Sequence, residues 1–247
     1  MMKKVIFCIL FLLSTLIYGQ KEIYELRVYN LNFGTPAKIL YNYLDNALIL
    51  ALNHQQVYNI GIFEEIGDSQ PKKIYVFIPY ENMNQYYRVH EGLKDDKDYK
   101  LASNDYMETS KQNFPYSRYE TSLFIAFDGL PKMIKPSEGS SVFELRTYEG
   151  YNEDALRRKI KMFNESEFEI FNDIGLHSVF FGEKIAGSQM PCLTYMLAFK
   201  DMKERDANWE KFGPHPEWQK ISKLPEYKNS VSNISRVFLK PMTFSKL

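Results

Sequence analysis

The 247-residue sequence predicts an α+β protein of two tandem ferredoxin-like halves, each a βαββαβ unit, packed sheet to sheet. Three observations predict it. The run Tyr24-Glu25-Leu26-Arg27-Val28-Tyr29 returns as Phe143-Glu144-Leu145-Arg146-Thr147-Tyr148, and 143 less 24 sets the copies 119 positions apart. Further on, Ile74-Tyr75-Val76-Phe77-Ile78 followed by Glu81-Asn82-Met83 returns as Thr194-Tyr195-Met196-Leu197-Ala198 followed by Asp201-Met202-Lys203, with Tyr75 and Tyr195 offset by 120. Two matches at nearly one spacing argue for duplication. Finally, β-rich and helix-patterned segments follow one another in the same order in both halves.

Each half opens on a short β-rich run, near Ile23 and near Val142. A long helix comes next. In the first half it opens at Thr35-Pro36, a capping residue before Pro at the first helical position, and runs to about Asn53. In the second it spans roughly Glu153 to Asp173 and stops at Gly175, a residue suited to a left-handed cap. Two strands follow, Val57 to Glu64 with Lys73 to Pro79, and Leu176 to Glu183 with Leu193 to Phe199, around hairpin turns at Gly67-Asp68 and Gly187-Ser188. Helical segments near Glu81 to Ser110 and Asp201 to Leu224 lead to last strands near Tyr119 to Phe127 and Asn233 to Leu239.

Helices on one face leave the other sheet face bare. Alternation puts Phe143, Leu145 and Thr147 on one side and Glu144, Arg146 and Tyr148 on the other. Laying two bare faces together hides both, and the linker 129–141, rich in Pro, Gly, Lys and Ser, permits that docking. The chain thus divides into an export signal (1–19), a first half (20–128), the linker, and a second half (142–247).

The apolar run Val5 to Ile17 behind Lys3 and Lys4 has the form of a secretory signal, with Gly19 before the expected cut, so the mature chain is expected to be exported, periplasmic or secreted. An uncleaved anchor is the alternative; a lipoprotein would need a Cys at the end of the run, whereas Cys8 sits within it. Without Lys3 and Lys4 the 31 basic residues become 29 against 31 acidic ones. That balance lacks the basic face that nucleic acid or anionic membrane requires. Cys192 is then the one cysteine, which excludes an intramolecular disulfide and a thiolate metal cluster. No later apolar stretch reaches the length of a membrane span, and a homodimer is an allowed assembly.

The second half, from Phe143-Glu144-Leu145-Arg146-Thr147-Tyr148 through Trp209 and His215-Pro216-Glu217-Trp218 to Phe238, resembles the NIPSNAP family. The first half keeps Glu25-Leu26-Arg27 but has no tryptophan, and Asp95-Asp96-Lys97-Asp98-Tyr99 stands where the second half has its Pro-Glu-Trp turn. The resemblance implies the dimeric α+β barrel fold, here as a pseudo-dimer within one chain. It brings no settled reaction; similar folds host haem-degrading and cofactor-free monooxygenases, and fold alone licenses no chemistry.

The Glu25/Arg27 and Glu144/Arg146 pairs are the sharpest polar feature. Two residues apart on a strand, each pair points to one face, expected to be the face the halves share, where it either holds a carboxylate ligand or forms inter-half ion pairs. On the long helix of the second half, Leu156, Ile160, Phe163, Ile170 and Ile174 make an apolar stripe with Glu167 in its middle, and Leu48 stands at the matching place in the first half. A carboxyl so placed has a raised pKa and acts as base or ligand contact, or else pairs with a cation. His54, His90, His177 and His215 show no metal-ligand spacing; His177, near a strand start, is either a haem or metal ligand in a cavity or a hydrogen-bonded packing residue. Trp209, Phe212 and Trp218 with Tyr148 and Phe181 line a pocket or fill a core. Cys192, after Pro191, has no base beside it, and no nucleophile elbow, Walker loop or dinucleotide fingerprint occurs.

The sequence therefore points to an exported protein that binds a small apolar or aromatic molecule, or a protein partner, through a helix-covered cavity of its second half, with Glu144, Arg146, Tyr148, Glu167, His177, Trp209 and Trp218 as candidate contacts. No cofactor is favoured. The alternative is an oxygenase-like enzyme, haem-dependent or cofactor-free, using Glu167, Arg146 and His177.

Overall fold

The computed structural model describes residues 20–247, so the expected export signal at 1–19 lies outside the described residues. The strands are β1 (Ile23–Leu31), β2 (Gly61–Glu65), β3 (Lys73–Tyr80), β4 (Tyr116–Ala126), β5 (Val142–Glu149), β6 (His177–Ala186), β7 (Cys192–Phe199) and β8 (Asn233–Pro241). The helices are α1 (38–54), α2 (Met83–Asp95), α3 (Lys97–Ala102), α4 (Asn104–Met107), α5 (153–174), α6 (Met202–Glu210) and α7 (Pro216–Ile221).

Among the described residues the strands close into one barrel in the order β1-β3-β2-β8-β5-β7-β6-β4. The first half supplies β4-β1-β3-β2 and the second β8-β5-β7-β6, all antiparallel. The halves join along both edges, β2 to β8 and β4 to β6. The seams are short, Phe63–Glu65 of β2 against β8 and Leu123–Ala126 of β4 against β6.

Local chemistry sets the helix ends. Asn152 accepts from the Ala155 amide and Glu153 and Asp154 occupy the first turn, which favours the α5 start; Gly175, at φ +78°, ends it in a conformation a side chain would strain. Asn82 and Asp201, 119 apart, cap α2 and α6 in the same way. Thr35 does not cap α1: its hydroxyl donates to the Asn32 carbonyl, and the helix begins at Lys38. The segment after Glu81 breaks into three helices because Asp96 and Ser103 interrupt it, Asp96 turning extended to cap α3. Both long helices widen into a π turn, at Leu44–Leu48 and Phe163–Glu167, again 119 apart.

Side-chain alternation sorts the residues into three apolar layers. Tyr24, Leu26, Phe63, Phe77 and Phe124 of the first half meet Phe143, Leu145, Phe180, Met196 and Leu239 of the second inside the barrel. Rings bridge the halves there, Phe77 stacked on Phe180 at 4.6 Å and Phe63 against Phe143 at 4.9 Å. The other two layers lie outside the barrel, each between four strands and its own helices.

That sorting corrects the expected inter-half ion pairs. Glu25, Arg27, Glu144 and Arg146 do not face the partner half: the apolar neighbours on either side of each take the sealed interior, and the period of two turns the charges outward beneath the helices. Among the described residues the ion pair that does cross between halves is Lys240 to Glu64, 3.0 Å, on the β2–β8 seam. A second correction is one of register. Arg27 pairs with Val76 and Arg146 with Tyr195, so Tyr195 matches Val76 rather than Tyr75, and the one-residue slip sends Tyr75 into the barrel and Tyr195 out to the helices.

Candidate functional site

In the first half, β1 presents Glu25, Arg27 and Tyr29 to the helices. Arg27 Nε donates to Glu25 Oε1 at 2.5 Å and Nη2 to Oε2 at 3.1 Å, a bidentate grip in which Tyr80 also donates to Oε2 at 2.9 Å. Burial opposes the charge on Arg27, but Glu25 outweighs it and holds the guanidinium well above its ordinary range. From α2, His90 places Nδ1 2.8 Å from the Tyr86 carbonyl, which only accepts, so in the neutral ring Nε2 is the acceptor facing Arg27 Nη2 at 3.3 Å. The Tyr29 hydroxyl lies within hydrogen-bonding reach of the Arg27 guanidinium, and among the described residues no carbonyl or carboxylate oxygen meets its Nη1, although the residue is only 8% exposed.

Beside that guanidinium lies a cavity of about 630 Å³, between β1 and β4 on one side and α1 to α4 on the other. Its walls are tyrosines: Tyr29, Tyr43, Tyr86, Tyr99, Tyr106, Tyr116 and Tyr119. Tyr43 stacks on Tyr106 at 4.0 Å, and the hydroxyls pair as Tyr43 with Tyr99 at 2.9 Å and Tyr106 with Tyr116 at 2.5 Å. Burial raises the pKa of the Tyr43, Tyr86, Tyr106 and Tyr116 phenols and pushes Tyr29 up to about 12, so all stay protonated near neutrality.

The second half builds the same floor and closes it. Arg146 Nε donates to Glu144 Oε1 at 2.7 Å, Arg205 to both Glu144 oxygens at 2.9 Å, and Trp209 Nε1 to Oε2 at 2.8 Å. Burial alone would raise the Glu144 carboxyl; Arg205 and Arg146 outweigh it and hold it below its ordinary value. The Trp209 ring covers Arg146 at 4.0 Å, with Tyr148 and Tyr195 hydroxyls against its Nη1 at 3.3 and 3.5 Å. With the 119 offset, Tyr86 matches Arg205, His90 matches Trp209, Leu93 matches Phe212 and Tyr99 matches Trp218. On the sheet and the long helix, Ile62 matches Phe181 and Leu44 matches Phe163. Five of these six are smaller in the first half, and that deficit of volume leaves the cavity there.

The structure therefore brings Glu144, Arg146, Tyr148 and Trp209 together as a cluster covered by the indole ring, and the helix-covered cavity expected in the second half lies in the first. Glu167 is 1% exposed and paired with Lys159, whose ammonium also lies 4.5 Å from the Phe163 ring and 5.6 Å from that of Trp218. Burial raises the Glu167 carboxyl and Lys159 opposes the rise. Trp218 packs against Phe212 at 4.4 Å. His177 stands apart: its side chain is 56% exposed, 3.8 Å from Glu204, because it occupies the first residue of β6 beside the linker. Sequence reasoning missed Arg205, Tyr195, Lys159, Tyr80 and His90; extending the 119 offset past the strands aligns His90 with Trp209 and would have exposed the asymmetry.

Haem does not fit these residues. The barrel interior is packed with rings, His177 faces outward, and His90 has Nδ1 against the Tyr86 carbonyl and Nε2 facing Arg27. Among the described residues no group of His, Cys, Asp or Glu is arranged to hold a metal ion, Cys192 is buried, and no helix is long and apolar enough to cross a membrane.

The NIPSNAP family model matches residues 24–114 and 143–246. A NIPSNAP family protein of unknown function from Agrobacterium tumefaciens is similar at 22% identity, covering 46% of this chain and 99% of that one with a TM-score of 0.39. Over the whole barrel the chain is similar to a monooxygenase candidate from Fusobacterium nucleatum, at 10% identity over 90% of this chain and 93% of that one with a TM-score of 0.58. A variant chlorite dismutase from Candidatus Nitrospira defluvii is similar at 5% identity, 92% and 94% coverage and a TM-score of 0.54. At these identities the two whole-barrel likenesses are of fold alone, a mixed α+β barrel. No match was found among curated proteins.

Proposed function

The chain belongs to the NIPSNAP family, and on that premise we propose that it is an exported small-molecule binding protein whose site is the tyrosine-walled cavity of its first half. One observation carries the reading: the two halves present the same Glu-x-Arg floor, yet only the second covers it with Trp209, while the first keeps about 630 Å³ open above a buried guanidinium. A volume of that order suits a ligand of two or three fused rings. In this reading each half is a ferredoxin-like unit, supported by the strand orders β4-β1-β3-β2 and β8-β5-β7-β6, and duplication freed one copy to bind while the other became scaffold. An oxygenase-like activity is the second reading, favoured by the fold likeness to a monooxygenase candidate; it too would use this cavity, since Arg146, Glu167 and His177 do not converge on an open space.

The test is native mass spectrometry of the chain purified from its source, beside the variant His90→Trp, which puts into the first half the ring that covers the second. A molecule retained by the wild type and lost from the variant supports the reading. A wild type that retains nothing and takes up no aromatic probe refutes it. Oxygen consumption on adding the retained molecule would favour the enzymatic reading over simple binding.

A further inference from the structure

The groups left open in the cavity define what can satisfy them. Glu25 spends its oxygens on Arg27 and Tyr80, and His90 turns Nε2 to Arg27 and Nδ1 to the Tyr86 carbonyl. What remains facing the space are Nη1 of Arg27, which only donates, and phenols that burial keeps protonated, which both donate and accept. The ligand must therefore bring an acceptor. Its charge follows from the same inventory. The Glu25–Arg27 pair is already neutral, and the residues lining the cavity include no second Arg and no Lys. A buried anion would lie beside Glu25 without a countercharge, against aromatic faces that carry negative potential. A neutral carbonyl oxygen takes the same hydrogen bonds without that cost, and a flat ring system matches walls that already stack, Tyr43 on Tyr106 at an interplanar angle of 13°.

Resting on the first-half cavity as the binding site, we infer that its ligand is an uncharged, flat aromatic molecule carrying a carbonyl oxygen, an aryl ketone or quinone, whose oxygen accepts from Nη1 of Arg27 beside the Tyr29 hydroxyl. Arg27 is then the residue that sets specificity, and the tyrosines supply the apolar contact.

Three probes with one ring skeleton separate the terms in calorimetric titrations of the full mature chain: 9-fluorenone, fluorene, and fluorene-9-carboxylate. Fluorenone is expected to bind roughly tenfold tighter than fluorene, the ratio one hydrogen bond to a charged donor supports, and the carboxylate more weakly than either. Arg27→Met made together with Glu25→Gln, which leaves no orphaned charge, should remove most of the fluorenone preference, the remainder resting on Tyr29, and leave fluorene unchanged. Circular dichroism confirms its folding, and Tyr29→Phe, which keeps the ion pair intact, should reduce the fluorenone preference in part. Equal binding of fluorenone and fluorene overturns the inference, and so does tightest binding of the carboxylate; in both cases the cavity stands as a site of different chemistry. If none of the three binds, the cavity itself is not a binding site and both readings fall.

Discussion

Replacing Lys159 and Glu167 together by leucine should leave the protein as stable as the wild type or more so, while either change alone destabilises it. The first half supplies the precedent. Leu40 and Leu48 stand at the matching positions of α1, both fully buried, so the same backbone with the same π turn already accommodates a leucine pair. Glu167→Leu strands a lysine whose remaining neighbours are Met162 Sδ at 3.6 Å and the rings of Phe163, Tyr148 and Trp218 at 4.5 to 5.6 Å. Orphaning a buried charge costs about 3–5 kcal/mol, of which cation–π contacts return about 1–2, leaving a loss of about 1–4 kcal/mol. Lys159→Leu strands the carboxylate instead, without such contacts, and its cost should shrink as falling pH protonates Glu167. The double change removes both desolvation terms and should lie between neutral and about 3 kcal/mol more stable. Urea unfolding of the four proteins closes a double-mutant cycle. If the double variant loses the sum of the two single losses, the residues are not coupled and the reasoning is wrong.

Other outcomes follow from the same contacts. His90→Trp should abolish binding of aromatic probes without lowering the melting temperature, since it fills a void rather than crowding a core; a variant that melts markedly earlier would show that the first half cannot accept the ring. Glu144, held below its ordinary value of 4.5, contributes stability that is complete above about pH 4.5 and is lost as pH falls through the lower folded value. Acid unfolding of Glu144→Gln should accordingly be shallower than that of the wild type below that pH, and parallel curves would contradict the assignment. Tyr29, raised to about 12 from 10.0, contributes stability present below pH 10.0 and lost as pH rises through about 12. Phenolate absorbance near pH 12 in an alkaline titration should be smaller by one phenol in Tyr29→Phe than in the wild type.

Architecture was legible in the sequence wherever a repeat or an alternation carried it. The 119 spacing of Glu25-Leu26-Arg27 and Glu144-Leu145-Arg146 announced the duplication, and Gly175 marked the end of α5. Which face of β1 and β5 turned inward was not legible, because Tyr24, Leu26, Phe143 and Leu145 on one face and Glu25, Arg27, Glu144 and Arg146 on the other are all buried in the end; the sequence distinguishes buried from exposed, not one buried layer from another. Lys159 escaped notice for a related reason. A lysine beside an apolar stripe ordinarily reaches solvent, and only the π turn, which shifts the helical phase, brings it under the stripe with Glu167. The cavity was misplaced to the second half because aromatics there suggested a pocket, whereas a dense set of large rings fills space and the smaller residues opposite leave it.

The most direct test of the account is a crystal structure of the mature chain grown with 9-fluorenone. The ligand is expected between β1, β4 and α2 to α4, stacked among the tyrosines, with its oxygen within hydrogen-bond distance of Arg27 Nη1 and the Glu144–Arg146 cluster unchanged beneath Trp209. A ligand seated against Arg146 with Trp209 displaced would contradict it, as would a first-half cavity collapsed around an Arg27 whose Nη1 had found a protein acceptor.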